Sequence, residues 1–242
     1  MAVLINDSLD PYFNLATEEY FIRNDILKED ILIIWRSNPA FVFGRNQNPY
    51  NEISPEYFNK KIPIIRRISG GGTVYLDEQT INYTYITCDY KRKISNYKYF
   101  TDPIIEELNI LKVPARFVPK SHIFVNDKKI SGNAQAFINN KLMHHGTLLF
   151  NSNLQIIYSA LVNFKIQENE HKILSNKSDV TNISDYIGQN ISIDILIDRL
   201  VKTICYKKDI NSSPYVLTEK DVLEIQSLVE SKYLKPGWNL QN

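Results

Sequence analysis

The sequence predicts an α+β fold, a mostly antiparallel mixed sheet flanked by helices. Strand-like segments dominate the chain as far as Phe150, many of them at hairpin spacing. Helical periodicity takes over after residue 190. Strands and helices do not alternate regularly, as a doubly wound parallel sheet would require.

Ordered structure begins almost at once, with Ala2-Val3-Leu4-Ile5. Asp10-Pro11, Ser54-Pro55 and Asp102-Pro103 each pair an N-cap residue with a proline suited to the first helical position. The first opens a helix through Phe13, Ala16, Glu19 and Tyr20. The third leads into Ile104, Ile105, Leu108 and Leu111 at helical spacing. Strands are predicted at Ile31–Trp35, Phe41–Phe43, Ile62–Arg67, Val74–Leu76 and Ile81–Thr87. A hairpin joins Ile123–Val125 to Ile130–Phe137 across Asn126-Asp127-Lys128, and Asn139-Asn140 turns into Leu142–Phe150. Ser192 caps a helix carrying Ile195, Leu196, Leu200 and Ile204; Thr218 caps another carrying Val222, Ile225, Leu228 and Val229.

At 242 residues, with 43% apolar and 12% aromatic side chains, the chain suits one large domain over residues 1–242. Its 28 basic and 27 acidic side chains leave a formal charge of +1. No global field draws it to nucleic acid or membrane, so any basic site is local. Cys88 and Cys205 make neither a disulfide framework nor a metal cluster, and no Cys/His spacing resembles a zinc site. No apolar run approaches the ~20 residues that span a bilayer. No secretory signal is visible, so a reducing cytoplasm is the expected setting.

Glycine is scarce, with 8 in the chain, yet Gly70, Gly71 and Gly72 are consecutive. They follow Arg66-Arg67-Ile68-Ser69 and precede Thr73-Val74-Tyr75, so one strand delivers two arginines into the loop and another leaves it. Glycine admits positive φ and close approach of a ligand to the backbone. Exposed amides there bind anionic oxygens, and an arginine fork suits phosphate or carboxylate. A mobile hairpin loop with solvated arginines is the plainer alternative. Lys129 leads into the small residues Ser131, Gly132 and Ala134, which make room for a ligand beside the strand. A lysine there can hold a carboxylate and an α-phosphate together, although a solvated charge is the plainer reading of a turn lysine. His144 and His145 point to opposite faces of a strand and cannot jointly chelate one metal. A structural hydrogen bond suits either of them better than catalysis.

Taken in order, these segments resemble the lipoate–protein ligase A family, within the biotin/lipoate ligase superfamily. The likeness starts at Ile5-Asn6-Asp7-Ser8 and Asp10-Pro11-Tyr12-Phe13-Asn14-Leu15-Ala16-Thr17-Glu18-Glu19. It runs through Trp35-Arg36, Phe43-Gly44-Arg45-Asn46-Gln47-Asn48-Pro49 and the Arg-Arg-x-Ser-Gly-Gly-Gly loop. The Lys-Ile-Ser-Gly strand, His144-His145-Gly146-Thr147-Leu148-Leu149, Ser178-Asp179-Val180-Thr181-Asn182-Ile183, Tyr233 and Trp238-Asn239 complete it.

The resemblance implies ATP-dependent activation of lipoate to lipoyl-AMP and transfer to a lysine of an acceptor. The acceptors would be lipoyl domains of 2-oxoacid dehydrogenase complexes and the glycine cleavage H protein. Lys129 would be the catalytic lysine, contacting lipoate and the α-phosphate. Arg67, Gly72, Thr73, Val74 and Tyr75 would contact the nucleotide. Ser69, Gly70 and Gly71 would shape the lipoyl-adenylate pocket, with Asn82 near it. Gly44, Arg45, His145 and Gly146 would form part of the lipoate pocket. Mg²⁺ would accompany ATP, its ligands unassigned. No protein nucleophile is needed, because the mixed anhydride is itself the activated acyl group.

Three features depart from the family pattern. Leu76-Asp77 stands where His-Asp is usual, and Ser121-His122 where many members carry an Asn-Asp pair linked to nucleotide or metal. A histidine does not replace a carboxylate towards Mg²⁺. Longer ligases continue into a small C-terminal domain beyond the segment matching Trp238-Asn239. The expectation is therefore a catalytic domain alone, with either its own loops, such as Glu168–Lys177, or a separate small subunit as the lid. The rival readings are an octanoyl or lipoyl transferase using a preformed donor, a biotin ligase, and a silent binding module. Against an acyl–cysteine route, both cysteines are expected to be buried and structural.

Overall fold

Strict alternation along the first two strands sets the layering. β1 (Ala2–Asn6) sends Ala2 and Leu4 into one core and Val3, with Met1 before it, into another. β2 (Ile31–Trp35) does the same with Ile31, Ile33 and Trp35 against Leu32 and Ile34. A sheet that is apolar on both faces must be covered on both. The helix α1 (Pro11–Arg23) joins β1 to β2, which pair in parallel. The computed structural model describes residues 1–26, 29–162, 174–175, 177–188, 190–208 and 211–240.

The remaining strands of the large sheet are β6 (Thr80–Thr87), β7 (Ala115–Val118), β8 (His122–Val125), β9 (Lys128–Ile138), β10 (Lys141–Leu149) and β11 (Ser213–Pro214). Their spatial order is β11-β1-β2-β6-β10-β9-β8-β7. Only the β11–β1 and β1–β2 pairs are parallel. A second sheet of order β4-β3-β5 contains β3 (Ala40–Phe43), β4 (Ile64–Arg66) and β5 (Val74–Leu76). Helices α2 (Tyr97–Ile110) and α4 (Ile193–Lys207) cover one face of the large sheet with Phe100, Ile104, Leu108, Leu196, Leu200 and Ile204. On the opposite face, α1 and α5 (Glu219–Leu228) contribute Leu15, Tyr20 and Ile225 to a core shared with Val42, Ile65 and Leu76 of the small sheet. Short helices α3 (Leu154–Ile157) and α6 (Pro236–Asn239) complete the set. The predicted α+β class with a mostly antiparallel mixed sheet is the observed one.

Asp10 caps α1 by accepting from the Tyr12 amide at 2.9 Å. Asn126, Asn139 and Asn140 adopt φ of 52°, 51° and 59° in the two predicted hairpin turns, a conformation asparagine tolerates. Ser192 and Thr218 cap α4 and α5 as expected, Thr218 in a reciprocal box with Asp221. Asp221 also accepts from Tyr20 Oη at 2.6 Å, tying α5 to α1.

Several expectations are corrected. α2 begins at Tyr97 under an Asn96 cap, so Asp102-Pro103 lies inside the helix. Pro103 has no amide to offer the Tyr99 carbonyl; Lys208 Nζ donates to that oxygen instead, at 3.3 Å. Ser54 makes no side-chain cap, and Pro55–Tyr57 is only a 3₁₀ turn. β4 is shorter than Ile62–Arg67, because Pro63 cannot donate to a ladder. Cys88 is exposed just past the end of β6, whereas Cys205 is buried as expected. The lid segment Glu168–Lys177 lies largely outside the described residues. Among the described residues no helix is long and apolar enough to cross a membrane.

The Thr218–Asp221 box predicts that Thr218→Ala costs about 1 kcal/mol. In a protein of this size that lowers Tm by about 2–4 °C, read by thermal unfolding; an unchanged Tm would mean that Asp221 holds the helix end unaided.

Candidate active site

The loop between β4 and β5 is built around a buried cation. Arg67 is 6% exposed and lies within the turn it organises. Its Nε donates to Ser69 Oγ at 3.0 Å, Nη1 to the Val42 carbonyl at 3.1 Å, and Nη2 to the Gly70 and Gly72 carbonyls at 2.5 and 2.8 Å. Burial lowers its pKa to about 10, opposed by the charges of Glu18 and Glu52, so it stays a guanidinium. Wrapping three carbonyls round one fork requires a tight turn, and Gly71 supplies it at φ +86°. Gly44 packs beneath, where a Cβ would overlap the carbonyl oxygen of Gly71.

A second buried chain meets this loop. His145 Nδ1 lies 3.0 Å from Glu18 Oε2, and its Nε2 lies 2.6 Å from Ser69 Oγ. The carboxylate only accepts, so Nδ1 carries the proton and Nε2 can accept from the serine hydroxyl. Glu18 Oε1 also accepts from Trp35 Nε1 at 3.3 Å and from Thr84 Oγ1. At 1% exposure and with its acceptors engaged, Glu18 is a fixed negative charge near Arg67.

These groups face a cavity of about 550 Å³ between the two sheets. One part of its wall is apolar, with Leu15, Trp35, Val42 and Leu76 continuous with the core on that face. Another part is polar, with Arg67, Lys120, His122, Lys129 and Ser178. The volume suits a small organic ligand, for which sites run about 300–1,000 Å³. Lys129 is held by its backbone: its amide donates to the Asp179 carbonyl at 2.8 Å, and the Thr181 amide donates to its own carbonyl at 3.1 Å. Among the described residues its ammonium has no hydrogen-bond or ion-pair partner, and burial pushes its pKa down. An unpaired, partly desolvated cation in a cavity is a receptor for an anion.

Of the residues singled out in the sequence, Arg67, Gly71, Gly72, Thr73, Val74, Asn82, Lys129, His145 and Gly146 line this cavity. Ser69 and Gly70 lie behind it, bonded to His145 and Arg67. Tyr75 turns away to a smaller adjoining cavity that Lys129 also lines. Gly44 and Arg45 do not line the cavity; they support the loop from beneath, the Arg45 amide donating to the Ser69 carbonyl at 2.8 Å. Glu18, Leu15 and Ser175 also line the cavity, although the sequence assigned none of them a role in the pocket. The signal for Glu18 was an acidic pair, Glu18-Glu19, in the middle of an otherwise buried helix. Ser175 accepts from Gln47 Nε2 at 3.2 Å and from the Thr73 amide at 2.8 Å, beside the loop.

Among the described residues the cavity lining does not offer a ready-made cluster for a divalent cation. Among the described residues no three His, Cys, Asp or Glu side chains converge. Glu18 is engaged as above, and Glu52 accepts from Ser175. His122 presents a buried Nδ1 with no partner, and burial beside Lys129 lowers its pKa to about 4.

A family model described as the lipoyl protein ligase A/B catalytic domain matches residues 10–205. Lipoate-protein ligase LplJ of Bacillus subtilis is 35% identical over 232 residues, 95% of this chain and 70% of that protein. Lipoate–protein ligase 1 of Staphylococcus aureus is 34% identical over 235 residues, 97% of this chain and 71% of that protein. A Thermoplasma acidophilum protein solved with bound lipoic acid superposes with a TM-score of 0.84 at 23% identity, covering 99% of both chains.

The contact beneath the loop yields a prediction: Gly44→Ala should push the Gly71 carbonyl away and cost about 1–3 kcal/mol of stability, as overpacking does. Denaturant unfolding reads this, and wild-type stability would show that the loop can retreat freely.

Proposed function

Because the chain belongs to the lipoyl protein ligase A/B catalytic-domain family, we propose that it is a lipoate–protein ligase, activating lipoate with ATP as lipoyl-AMP and passing the lipoyl group to an acceptor lysine. The observation that carries this reading is the cavity wall itself, apolar on one part and cationic on the other, with Lys129 unpaired. The aliphatic chain and ring of lipoate suit Leu15, Trp35, Val42 and Leu76. The carboxylate and the α-phosphate suit the Lys129 ammonium.

In the first step a lipoate carboxylate oxygen attacks the α-phosphorus of ATP. The bond from that phosphorus to the bridging oxygen breaks, and diphosphate leaves with its electron pair. Two anions must approach each other, and Lys129 offsets their repulsion while Arg67 contributes positive potential from within the loop. Gly72, Thr73 and Val74 would lie along the nucleotide, with Tyr75 at the adjoining cavity. Asn82, His145 and Gly146 would flank the acyl chain. In the second step the neutral acceptor amine attacks the lipoyl carbonyl carbon. The amide forms, the acyl–phosphate bond breaks, and AMP leaves as a proton is released. Mg²⁺ would accompany ATP, and its protein ligands stay unassigned, since no cluster of three His, Cys, Asp or Glu side chains occurs among the described residues. The proposed acceptors are lipoyl domains of 2-oxoacid dehydrogenase complexes and the glycine cleavage H protein, and the proposed setting is the cytoplasm.

The test is mass spectrometry of a purified apo-lipoyl domain incubated with the protein, ATP, Mg²⁺ and lipoate; one lipoyl group should be gained. Modification only from supplied lipoyl-AMP, with no ATP–diphosphate exchange, would favour a transferase or a separate small subunit. Lys129→Ala should remain folded and lose lipoyl-AMP formation by about 10²-fold or more. Near wild-type adenylation would remove Lys129 from the mechanism. The double variant Cys88→Ser, Cys205→Ser should keep its activity, because neither cysteine lines the cavity; an acyl adduct on either, with activity lost, would point to a thioester route.

A further inference from the structure

The segment Tyr233–Asn239 does not line the cavity, yet it grips the residue preceding Arg67. Among the described residues β4 is an edge strand paired with β3, and Arg66 lies on its outer side. Trp238 and Asn239 fill that edge in place of a strand. The Arg66 amide donates to Asn239 Oδ1 at 2.9 Å, and Trp238 Nε1 donates to the Arg66 carbonyl at 2.8 Å. Arg66 Nε in turn donates to the Trp238 carbonyl at 2.8 Å.

From there Arg66 reaches under the glycine loop. Its Nη1 donates to the Arg45 and Gln47 carbonyls at 2.7 and 2.8 Å, with the guanidinium 4.5 Å from the Phe43 ring centroid. Gln47 Oε1 accepts from the Gly44 amide at 2.9 Å and from Thr73 Oγ1 at 3.1 Å, so the turn held by Arg66 touches both the base and the far end of the loop. The gripping segment is anchored in its turn. Asn239 Nδ2 donates to the Tyr233 carbonyl at 2.6 Å, and Tyr233 Oη donates to Glu19 at 2.7 Å. Lys232 Nζ pairs with Glu19 at 2.6 Å and lies 3.8 Å from the Trp238 ring centroid. Glu19 is the neighbour of Glu18, which holds His145 in the cavity wall.

We infer that Trp238 and Asn239 are positioning residues for ligand binding: by clamping Arg66 they fix the course of the chain into Arg67 and the glycine loop. The ligand named in the test rests on the reading of the site as a lipoate–protein ligase; the clamp itself does not. Without the Asn239 acceptor, the edge amide of β4 has water as its alternative partner, and the loop gains freedom at its entry. A purely structural segment would change stability and leave the loop and its ligand affinity alone.

The experiment compares wild type with Asn239→Leu and with Trp238→Phe, which keeps an aromatic ring and removes the indole N–H. Hydrogen exchange of the backbone amides of residues 68–74 is measured well below each Tm, with β6 and β10 as internal controls. Both variants should exchange faster in the loop, with the control strands unchanged. Affinity for a hydrolysis-resistant lipoyl-adenylate mimic should fall about tenfold in Asn239→Leu and less in Trp238→Phe, a free-energy change of about 1.4 kcal/mol for the former. In an Arg67→Lys background, where the loop has lost its organising fork, Asn239→Leu should add less than about twofold. Unchanged loop exchange in a folded variant, or a full further tenfold loss in the Arg67→Lys background, overturns the clamp. If Asn239→Leu does not fold, Trp238→Phe decides. If wild type does not bind the mimic, the ligand reading fails and the exchange comparison still judges the clamp.

Discussion

The guanidinium of Arg67 lies inside the loop it organises, and left unpaired there its charge would cost several kcal/mol. The surrounding structure removes that cost. Val42, Ser69, Gly70 and Gly72 provide acceptors, and Glu18 provides opposite charge close by. Each of these demands has a consequence in sequence. Three carbonyls can converge on one fork only if the turn is tight, which requires a glycine at φ +86°. The loop can settle onto the strand below only if Gly44 carries no side chain. Glu18, 1% exposed, has its carboxylate oxygens satisfied by donors from Trp35, Thr84 and His145. The course of the glycine loop along the cavity wall therefore follows from how one cation is buried.

The same economy explains three like-residue pairs. Glu18-Glu19, Arg66-Arg67 and His144-His145 each divide between the site and the frame. On the strands the period of two forces this division. His145 meets Ser69 at the cavity, while His144 stacks on Phe100 at 4.3 Å between centroids, on the opposite face of the sheet. Arg67 enters the loop while Arg66 turns to Trp238. On α1 the 100° step between neighbours separates Glu18, facing the cavity, from Glu19, facing Lys232 and Tyr233. Neighbouring residues in these pairs thus couple the ligand wall to its supports through one peptide unit.

What the sequence made legible was whatever local chemistry decides. Short apolar runs marked β2 and β5 to the residue, and asparagine turns and N-caps marked the hairpins and both late helices. The Arg-Arg-x-Ser-Gly-Gly-Gly loop stood out because three of only 8 glycines are consecutive, whereas Lys129, a solvated turn charge on its own evidence, drew its expected role from the family resemblance. What stayed hidden depends on tertiary partners. Asp102-Pro103 has every local mark of a helix start, and only the packing of Tyr99 and Phe100, with Lys208 reaching the Tyr99 carbonyl, extends α2 in front of it. Cys88 has a strand-end context that suits burial, but the chain has left the sheet by then. Gly44 and Arg45 belong to the same motif as the pocket, and spacing alone does not tell a residue that touches ligand from one that supports a loop beneath it.

The two cations of the site differ in a way that fits the order of chemical events. Arg67 has its donors committed before any ligand arrives, so its charge acts as a fixed potential and its hydrogen bonds need not reorganise. A rigid fork suits that duty, because it binds several carbonyls in one plane. Lys129 is the opposite case. Its backbone is pinned on both sides by Asp179 and Thr181, while its ammonium has no partner among the described residues and is held in partly desolvated surroundings. Burial pushes its pKa down, and an anion beside it would favour the charged form. On the proposed reading, a compact ammonium would also serve carboxylate and phosphate alike, where a planar fork is more restricted in geometry. On the proposed reading, replacing one cation by the other would conserve charge and still lose function, because Arg67 is committed to the loop while the Lys129 ammonium is left to meet the ligand.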